Sequence, residues 1–489
     1  MEASDAGTSY LELDKDDEVV EVEAHPSGDS AHVSISCSDA TGLGCDIARV
    51  LFNFGLTVYN GDFSTDGRWC FVMLHVKPCF GSPPCATNWS LLKRNLLRFC
   101  SSEKTVRKAP ASAYTGNKKF ILQIEFQDRI GTLHNIIHSL WESELVVHKA
   151  NISTSPDNTG LDVFYVSDKL DRLPRQARVS QIEENIANKI KDCSSLRVNC
   201  LAYPSSRLSS GNSSRLLTGT RDCKDSRSSL PLMKTLSNRE RGGSRRSSNA
   251  SQDLEMLPRL SVSEILESLK VHADNLVSST QTVFHIECPD RKGLMYDLFR
   301  ITKDIGLQIS YCKVTLDMNV CKADLFVHEE ERQQKLTDEM IEFFCAEIKN
   351  AITSSILLKV ENRHDAGGSQ AVLLTEVVAV APVDSGFRGR PRVLYDLTAT
   401  FNQLGLSIFH AEMYTVEISG EVGDPSDRRY QEVHKFVIQD ARGKPISSKR
   451  DLELVEKELY ARLVGSGSDT SVRSTEFKKL ANLLDYGVL

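Results

Sequence analysis

Long hydrophobic runs are absent from this sequence of 489 residues. No apolar stretch approaches the roughly 20 residues that a helix needs to cross a bilayer, so we expect no membrane span and no membrane partner. The N-terminus also lacks the apolar core of a signal peptide and the Arg-rich, acid-poor composition of a transit peptide, since seven acidic residues lie between Glu2 and Glu18. We therefore expect a cytoplasmic protein with access to the nucleus.

Metal-binding spacing and an excess of positive charge are absent as well. The 13 cysteines are scattered without a CxxC pair, which argues against a zinc site and favours reduced thiols used as small core residues. The formal net charge is −7, so no global basic field attracts nucleic acid. Phosphate-loop, nucleophile-elbow and nucleotidyltransferase signatures are missing too. We therefore expect no enzymatic activity, no cofactor or metal, and no nucleic-acid partner.

What the sequence does contain is a strand–turn–helix pattern that occurs four times. The two clearest copies have the turns Asp128-Arg129-Ile130-Gly131 and Asp290-Arg291-Lys292-Gly293. A looser copy has the turn Asp39-Ala40-Thr41-Gly42, and the fourth has a longer turn between Asp384 and Pro391. The first aspartates of successive turns are 89, 162 and 94 residues apart. Such spacing indicates an internal repeat of domain-sized units.

Each repeat continues into a pattern of strands and helices that is long enough for a domain. In the second copy, Leu122, Ile124 and Phe126 alternate with polar residues, as in a strand with one buried face. The whole copy is typical of a βαββαβ unit, the ferredoxin-like arrangement. We predict an α+β fold of four such domains in two pairs, 1 with 2 and 3 with 4, with antiparallel sheets and helices on one face. The predicted domains cover residues 27–110, 115–204, 279–364 and 370–465.

The remaining segments differ in composition from the four repeats. Residues 205–252 contain 14 Ser and 10 Lys or Arg against three acidic residues, a composition that buries too little apolar surface to fold. We predict an acidic disordered lead at 1–26, with an edge strand at Val19, Val20 and Val22 as the alternative. We also predict a disordered linker at 205–255, a bridging helix at 256–278 and a polar tail at 466–489. Two arginines precede Ser247 and Ser248, which are therefore candidate phosphorylation sites. Nuclear import, weak RNA contact and an unmodified spacer are the alternatives for this linker.

The repeated Asp-Arg-x-Gly turn, between an alternating strand and an amphipathic helix, resembles the turn of the ACT domain. Four such units without an attached enzyme resemble the plant ACT-domain-repeat proteins, which are similar to the sensor region of bacterial uridylyltransferases that monitor glutamine. The resemblance covers most of the chain outside the linker and the two tails, and the fourth turn departs from it by an insertion. It implies a non-catalytic regulatory protein that binds a free amino acid, with glutamine as a candidate, at ACT-domain interfaces. It also implies that amino-acid or nitrogen status is signalled to a protein partner, here unidentified.

The chemistry of the repeated turn suits an amino-acid ligand. A helix N-terminus presents unpaired N–H groups to an α-carboxylate, and glycine lets a ligand approach the backbone. An aspartate can receive the α-ammonium group, and an arginine can clamp a carboxylate. The resemblance also implies a polar residue at the start of the next strand. The candidate ligand-binding residues are Asp39, Gly42, Asp128, Arg129, Gly131, His148, Asp290, Arg291, Gly293 and Gln308.

A simpler interpretation of the turns stays open at this point. In each unit the aspartate could only cap the helix and the glycine could only form the turn, with no ligand. The protein would then be a ligand-free adaptor or scaffold, with ACT domains that pair within the chain or in a homodimer. Stabilisation by a ligand separates the two functions, because a ligand that binds only the folded state raises its stability.

Overall fold

A computed structural model describes residues 19–79, 88–100, 118–190, 195–203, 267–330, 334–353, 356–365, 372–419 and 428–465. The candidate phosphorylation sites Ser247 and Ser248 lie outside these residues, as do the predicted linker at 205–255 and the predicted tail at 466–489. Expectations about those segments stay predictions.

The described residues contain sixteen strands and eight helices, which follow the four repeats. The strands are β1 (Val20–Ala24), β2 (Ala31–Ser38), β3 (Leu56–Thr65), β4 (Trp69–Pro78), β5 (Lys119–Gln127), β6 (Leu145–Ser153), β7 (Thr159–Asp168), β8 (Arg197–Ala202), β9 (Lys270–Asp274), β10 (Thr282–Pro289), β11 (Leu307–Asp317), β12 (Val320–Glu329), β13 (Leu357–Asp365), β14 (Val372–Pro382), β15 (Ser407–Ser419) and β16 (Arg428–Gln439). The helices are α1 (Leu43–Asn53), α2 (Trp89–Cys100), α3 (Thr132–Glu142), α4 (Gln176–Lys189), α5 (Leu294–Asp304), α6 (Asp338–Thr353), α7 (Val393–Gln403) and α8 (Lys449–Val464). Across these ranges, no helix has both the length and the apolar character needed to cross a membrane.

The start of the first repeat shows how the sequence pattern becomes structure. In β2, Val33, Ile35 and Cys37 are buried while the intervening residues are half-buried, because successive side chains of a strand point to opposite faces. In α1, Ile47 and Leu51 lie on the buried face, as the helical spacing predicts. The local pattern therefore specifies which face of each element enters the core.

The strands form two eight-stranded antiparallel sheets. Sheet A has the order β1-β2-β4-β3-β11-β12-β10-β9, and sheet B has the order β13-β14-β16-β15-β6-β7-β5-β8. We number the repeats as unit 1 (β1 to α2), unit 2 (β5 to β8), unit 3 (β9 to α6) and unit 4 (β13 to α8). Units 1 and 3 share one continuous hydrophobic core, and units 2 and 4 share another. The predicted α+β fold with paired units in shared antiparallel sheets is confirmed.

The predicted choice of partners is wrong. Unit 1 pairs with unit 3 through β3 and β11, and unit 2 pairs with unit 4 through β6 and β15. At the first junction Asp62 lies opposite Lys313, and the Tyr311 hydroxyl donates a 2.8 Å hydrogen bond to the Asp62 carboxylate. Opposite charges across neighbouring strands favour this register. Complementary side chains on the two edge strands, rather than adjacency in the sequence, therefore determine which units pair.

Units 1 and 2, and units 3 and 4, contact each other through side chains of their helices and turns instead of their strands. Arg94 and Arg98 of α2 in unit 1 lie 3.0 and 2.9 Å from the carboxylate of Glu144 in unit 2. Lys292 of unit 3 lies 2.7 Å from the carboxylate of Asp396 in unit 4. The helices of sheet A therefore face those of sheet B, and charged side chains join the two layers.

Three units take their outer strand from the segment that precedes the repeat. β1 pairs with β2, β9 with β10 and β13 with β14, whereas unit 2 keeps the predicted βαββαβ order with β8 beside β5. This arrangement corrects three predictions. A strand lies at Val20–Ala24 inside the predicted lead, and another lies at Lys270–Asp274 inside the predicted bridging helix. The strand Leu357–Asp365, predicted as the last strand of the third domain, belongs to unit 4. The edge beside the first core strand accepts an antiparallel strand from either end of the unit, and local sequence does not distinguish the two. The other domain boundaries stay predictions.

Candidate ligand site at the interface of paired units

The turn helix of each unit begins at a residue with left-handed backbone. The φ angle is +76° at Gly42, +88° at Gly131 and +78° at Gly293, and Arg392 takes the same place in unit 4 with a φ of +68°. Glycine adopts this conformation at little cost because it lacks a Cβ. The N-cap residue of each helix makes no side-chain capping hydrogen bond, and the Asp39 carboxylate bonds to the backbone N–H of Ala40 inside the turn. The N–H groups at these helix N-termini can therefore donate hydrogen bonds to backbone or ligand acceptors.

The turn of unit 1 and the paired unit 3 enclose a pocket, which we call site one. The Asp39 carboxylate accepts hydrogen bonds from the Thr65 hydroxyl (2.6 Å), the Gln308 side-chain amide (3.1 Å) and the backbone N–H of Ala40 (2.8 Å). Gln308 lies at the start of β11, so its amide reaches the turn of the partner unit rather than its own. Site one is open to solvent, and its polar lining includes Asp39, Thr302, Lys303 and Gln308.

Lys303 covers the glycine of site one. A methyl group built on Gly42 would lie 2.8 Å from both Cδ and Cε of Lys303, whose side chain comes from the last turn of α5. The site thus brings a carboxylate, an amide and the side chain of a lysine to one helix N-terminus. The Asp39 carboxylate suits the α-ammonium group of a free α-amino acid, and the lysine side chain suits its α-carboxylate.

The turn of unit 2 and the paired unit 4 enclose the corresponding pocket, which we call site two. The Asp128 carboxylate accepts a 2.8 Å hydrogen bond from the Thr154 hydroxyl. Burial raises the pKa of Asp128, and that hydrogen bond offsets part of the rise. The side chain of Asn402 lies against Gly131, where Lys303 lies against Gly42 in site one. The lining residues include Asp128, Arg129, Gly131, His134, Thr398 and Asn402.

The histidine of site two is uncharged at neutral pH. Burial, followed by the nearby His138, lowers the pKa of His134 to about 4. The His134 ring nitrogen Nδ1 lies 3.2 Å from the Thr398 hydroxyl of unit 4. Against its turn glycine, site two therefore presents the amide of Asn402 where site one presents the side chain of Lys303.

The turn of unit 3 is closed by unit 4. The Arg390 guanidinium donates a 2.7 Å hydrogen bond to the carbonyl of Lys292, lies 3.3 Å from the buried Asp297 carboxylate and covers the ring of Phe52 at 4.7 Å. A methyl group built on Gly293 would lie 2.6 Å from this guanidinium. A buried guanidinium held by an ion pair therefore lies against Gly293, whereas the ends of the Lys303 and Asn402 side chains lie against Gly42 and Gly131.

The other candidate residues of the third turn are also used inside the protein. Arg291 lies 2.7 Å from the Asp297 carboxylate and donates a hydrogen bond to the carbonyl of Ala351. Burial raises the pKa of Asp290 to about 6. Asp290, Arg291 and Gly293 are thus brought together by the fold, but around groups of the protein rather than around an open pocket.

The longer turn of unit 4 is closed as well. Asp384 accepts a 2.8 Å hydrogen bond from Arg388 and lies 3.7 Å from Arg49 of unit 1. Burial alone would raise the pKa of Asp384, but these two cations hold it below its usual value. The carboxylate of Glu432 lies directly against Gly389. The insertion therefore replaces a ligand pocket with an interdomain contact.

His148 does not occupy the position that the sequence suggested. In units 1 and 3 the next strand begins directly after the left-handed glycine, and Gln308, two places after Gly306, is the second residue of its strand. In unit 2 the left-handed residue is Glu144, so the corresponding position is Val146. His148 lies at a register shift of β6, where its Nε2 is 2.9 Å from the Ser167 hydroxyl and burial lowers its pKa to about 4.

Sequence reasoning missed Lys303 and Asn402, which face sites one and two. Both lie at the end of a helix in the partner unit, far in sequence from the glycine that they cover. A signal did exist, because each precedes a left-handed glycine, Gly306 or Gly405, by three residues. An alignment of the four repeats could have shown that Lys303 and Asn402 occupy equivalent positions. It could not have shown which turn each of them faces.

The open and closed turns should respond differently when their glycines are replaced. We expect Gly67→Ala, at a left-handed position with no atom within 4 Å of the added methyl, to cost about 1 kcal/mol of stability from backbone strain alone. Gly131→Ala should cost slightly more, because the end of the Asn402 side chain can move. Gly293→Ala should cost about 2 kcal/mol, since its methyl meets Arg390 and Phe52 in a packed interior. Urea denaturation measures all three, and equal effects of Gly293→Ala and Gly67→Ala would contradict a closed third turn.

The fold and its turns define a protein built from ACT domains. The model of the N-terminal region of ACT domain-containing protein ACR10 matches residues 21–101. The model described as an ACR9-like, ACT-like domain matches residues 270–365. The model of the C-terminal region of ACT domain-containing protein ACR9 matches residues 375–465.

Two proteins of Arabidopsis thaliana are similar over nearly their whole length. ACT domain-containing protein ACR10 is 27% identical over 460 residues, which cover 92% of this chain and 98% of that protein. ACT domain-containing protein ACR9 is 28% identical over 466 residues, with the same two coverages of 92% and 98%. The chain belongs to the plant ACT-domain-repeat proteins. This membership supports a regulatory role of the amino-acid-sensing type.

Solved structures add no argument to this assignment. An unknown protein from Galdieria sulphuraria is 14% identical with a TM-score of 0.14, and the match covers 36% of this chain and 99% of that one. Aspartate kinase from Synechocystis is 13% identical with a TM-score of 0.16, and the match covers 92% of this chain and 56% of that one. The fold assignment rests on the sheet topology and the family models.

Proposed function

We propose that this protein is a non-catalytic sensor that binds a free α-amino acid at the interfaces of its paired ACT domains. The observation that carries the proposal is site one, where Asp39 of unit 1 and Gln308 of unit 3 meet in a pocket open to solvent. A pocket built from two units couples occupancy to the contact between those units. A change in that contact is what a protein partner would detect.

The polar groups of site one match the charges of a zwitterion. The α-ammonium group pairs with Asp39, which now accepts a hydrogen bond from Gln308. The α-carboxylate faces the uncapped N-terminus of α1, where the helix dipole and the ammonium group of Lys303 favour an anion. Gln308 then exchanges its bond with Asp39 for one with the ligand, so ligand binding reorganises the junction between β3 and β11.

Sites one and two are the proposed binding sites, and the third and fourth turns are not. Arg390 fills the space at Gly293, and Glu432 fills the space at Gly389. The four turns of the repeat thus divide into two that face pockets and two that join the layers. Glutamine, the ligand that the family resemblance implied, belongs among the first compounds to test.

A ligand-free adaptor is the second candidate function, and one surface favours it. Trp69, Phe71 and Met73 alternate along β4 on the face of sheet A opposite the helices, and they are 39%, 54% and 55% exposed. A row of exposed apolar side chains on one strand is typical of a protein-binding surface. This surface serves either function, since a sensor also needs a partner.

The test is a thermal-shift screen of the full chain against the common amino acids at millimolar concentration. A ligand at 100 times its dissociation constant adds about 2.7 kcal/mol, which should raise the melting temperature by several degrees. Asp39→Asn should abolish the response at site one, because the α-ammonium group loses its charged partner. Asp290→Asn is the matched control at the same position of a closed turn, and it should keep the response.

The outcomes separate the two functions. If no amino acid stabilises the wild-type chain, the sensor proposal fails and the adaptor function stands. If Asp128→Asn, rather than Asp39→Asn, removes the response, the ligand binds at site two. If Asp290→Asn removes it as well, the assignment of open and closed turns is wrong.

A further inference from the structure

The fourth turn, which is the longer turn of unit 4, is held by the two helices that line site one. Site one lies between the start of α1 and the last turn of α5, which carries Lys303. Asp304, the next residue of α5, accepts a 2.8 Å hydrogen bond from the backbone N–H of Ser385 in the fourth turn. Near the start of α1, the Asp46 carboxylate lies 2.8 Å from the Arg388 guanidinium. The fourth turn therefore bridges the same two helices that enclose the pocket.

One carboxylate fixes the conformation of the fourth turn. The buried Asp384 side chain accepts hydrogen bonds from the backbone N–H groups of Gly386 (3.0 Å) and Arg388 (2.9 Å). It also lies 3.7 Å from Arg49 of α1, whose guanidinium donates a hydrogen bond to the carbonyl of Gly389. Because a satisfied polar network in a packed interior is rigid, a shift of α1 displaces the turn as a unit instead of being absorbed inside it.

The fourth turn continues into α7, and α7 forms part of site two. Immediately before α7, the Arg392 guanidinium donates a 3.0 Å hydrogen bond to the carbonyl of Asn53, the last residue of α1. Thr398 and Asn402, further along α7, line site two, and Asn402 lies against the turn glycine of that site. A chain of direct contacts thus runs from site one through α1 and the fourth turn to α7 and site two.

We propose that the fourth turn couples the two sites, so that a ligand in site one changes the affinity of site two. This inference rests on the proposed function and concerns the regulation of the same two sites. A ligand held between Asp39 of unit 1 and Lys303 of unit 3 alters the spacing of α1 and α5. The turn follows that spacing through Asp46 and Asp304, and α7 carries the shift to Asn402. By linkage, a ligand in site two changes the affinity of site one by the same factor.

Amide hydrogen exchange of the full chain tests the coupling in the absence of a ligand. Asp39→Asn alters the polar contacts of site one, and we expect it to change exchange rates at the end of α7 and the start of α3 by about threefold or more. Asp62→Asn is the matched control, because Asp62 bonds to Tyr311 at the same junction of β3 and β11 but on the sheet face opposite the helices. An unchanged rate in Asp39→Asn, or an equal change in Asp62→Asn, would overturn the inference.

Removal of the links between the helices and the fourth turn separates coupling from a general loss of stability. Asp46→Ala combined with Asp304→Ala removes one link from each helix, while the ion pair inside the turn remains. In this background the effect of Asp39→Asn on α7 should fall by more than half, and a full effect would contradict a role of the turn. Glu339→Ala combined with Glu342→Ala, at exposed positions of α6, is the matched control and should keep the effect.

Ligand titration measures the coupling factor and separates this inference from the proposed function. Glutamine, and each other common amino acid that raises the melting temperature, is titrated by calorimetry into the wild-type chain, Asp39→Asn and Asp128→Asn. We expect each site of the wild-type chain to differ in affinity by about fivefold or more from the same site when the other is disabled, the lower end of typical allosteric coupling. Equal affinities would overturn the coupling while the sensor function survives. Absence of binding by every amino acid to the wild-type chain would overturn both.

Discussion

Lys292→Met is expected to lower the free energy of unfolding by about 3 to 5 kcal/mol, the usual effect of removing one partner of a buried ion pair. The Lys292 ammonium group is 1% exposed, lies 2.7 Å from the Asp396 carboxylate and donates a hydrogen bond to the carbonyl of Arg462. Burial lowers the pKa of Lys292, and the Asp396 charge offsets part of that effect. Methionine has a similar length but leaves the buried carboxylate with one fewer cation.

The stabilisation by this ion pair depends on pH. Burial alone would raise the pKa of Asp396, but Lys292 and then Arg392 hold it below its usual value. The wild-type stabilisation is therefore present at neutral pH and is lost as the pH falls through the depressed pKa of the folded state. In Lys292→Met the loss should begin at a higher pH, because the folded-state pKa of Asp396 rises when its nearest cation is removed.

Chemical denaturation at pH 7 measures this effect, with Lys449→Met as the control. Lys449 is 90% exposed and lies 3.7 Å from Glu453 on the surface of α8, so its replacement should change stability by less than about 1 kcal/mol. Equal stabilities of the two variants would show that the contact between units 3 and 4 contributes little. Because Lys292 belongs to the third turn, a large effect would also assign that turn a structural role.

Asp162→Val is expected to raise the free energy of unfolding by about 3 kcal/mol at pH 7, the upper end of the cost of a buried polar group without a hydrogen bond. Asp162 is fully buried on the helix-facing side of β7, and neither carboxyl oxygen makes a well-formed hydrogen bond within the described ranges of the chain. Burial, and then the nearby Asp128, raise its pKa well above the usual value. Val72 occupies the same sheet position in unit 1, so valine fits this site.

The pH dependence gives the same prediction a second measurement. When folding raises the pKa of a carboxyl group, the group costs least stability below its unfolded pKa, and the stability of the protein falls as the pH rises through the folded pKa. Wild-type stability should therefore decline with rising pH in a way that Asp162→Val and the isosteric Asp162→Asn do not. A destabilised Asp162→Val variant, or an unchanged pH profile in both variants, would mean that the carboxyl group has a favourable role in the fold or in site two.

The candidate site shows where sequence reasoning succeeds and where it stops. Gly42, Gly131 and Gly293 were predicted as turn glycines, and all three adopt left-handed backbone, because this preference is a property of a few adjacent residues. Gln308 was identified as a polar residue near a turn, but it contacts Asp39 of another unit. His148 was placed two residues away from the position it was meant to fill, since Glu144 replaces the glycine that marks this position in the other units.

The sequence alone determined that this chain contains four similar α+β units with polar turns at the start of four helices. Strand alternation, helical spacing and glycine conformation are local effects, and they repeat wherever the pattern repeats. Only the tertiary structure decided that unit 1 pairs with unit 3, that unit 2 pairs with unit 4, and that two turns face pockets while two are closed. Those outcomes depend on edges and charges that meet across long separations, as Tyr311 and Asp62 do across 249 residues, and no local pattern specifies which of four similar partners will fit.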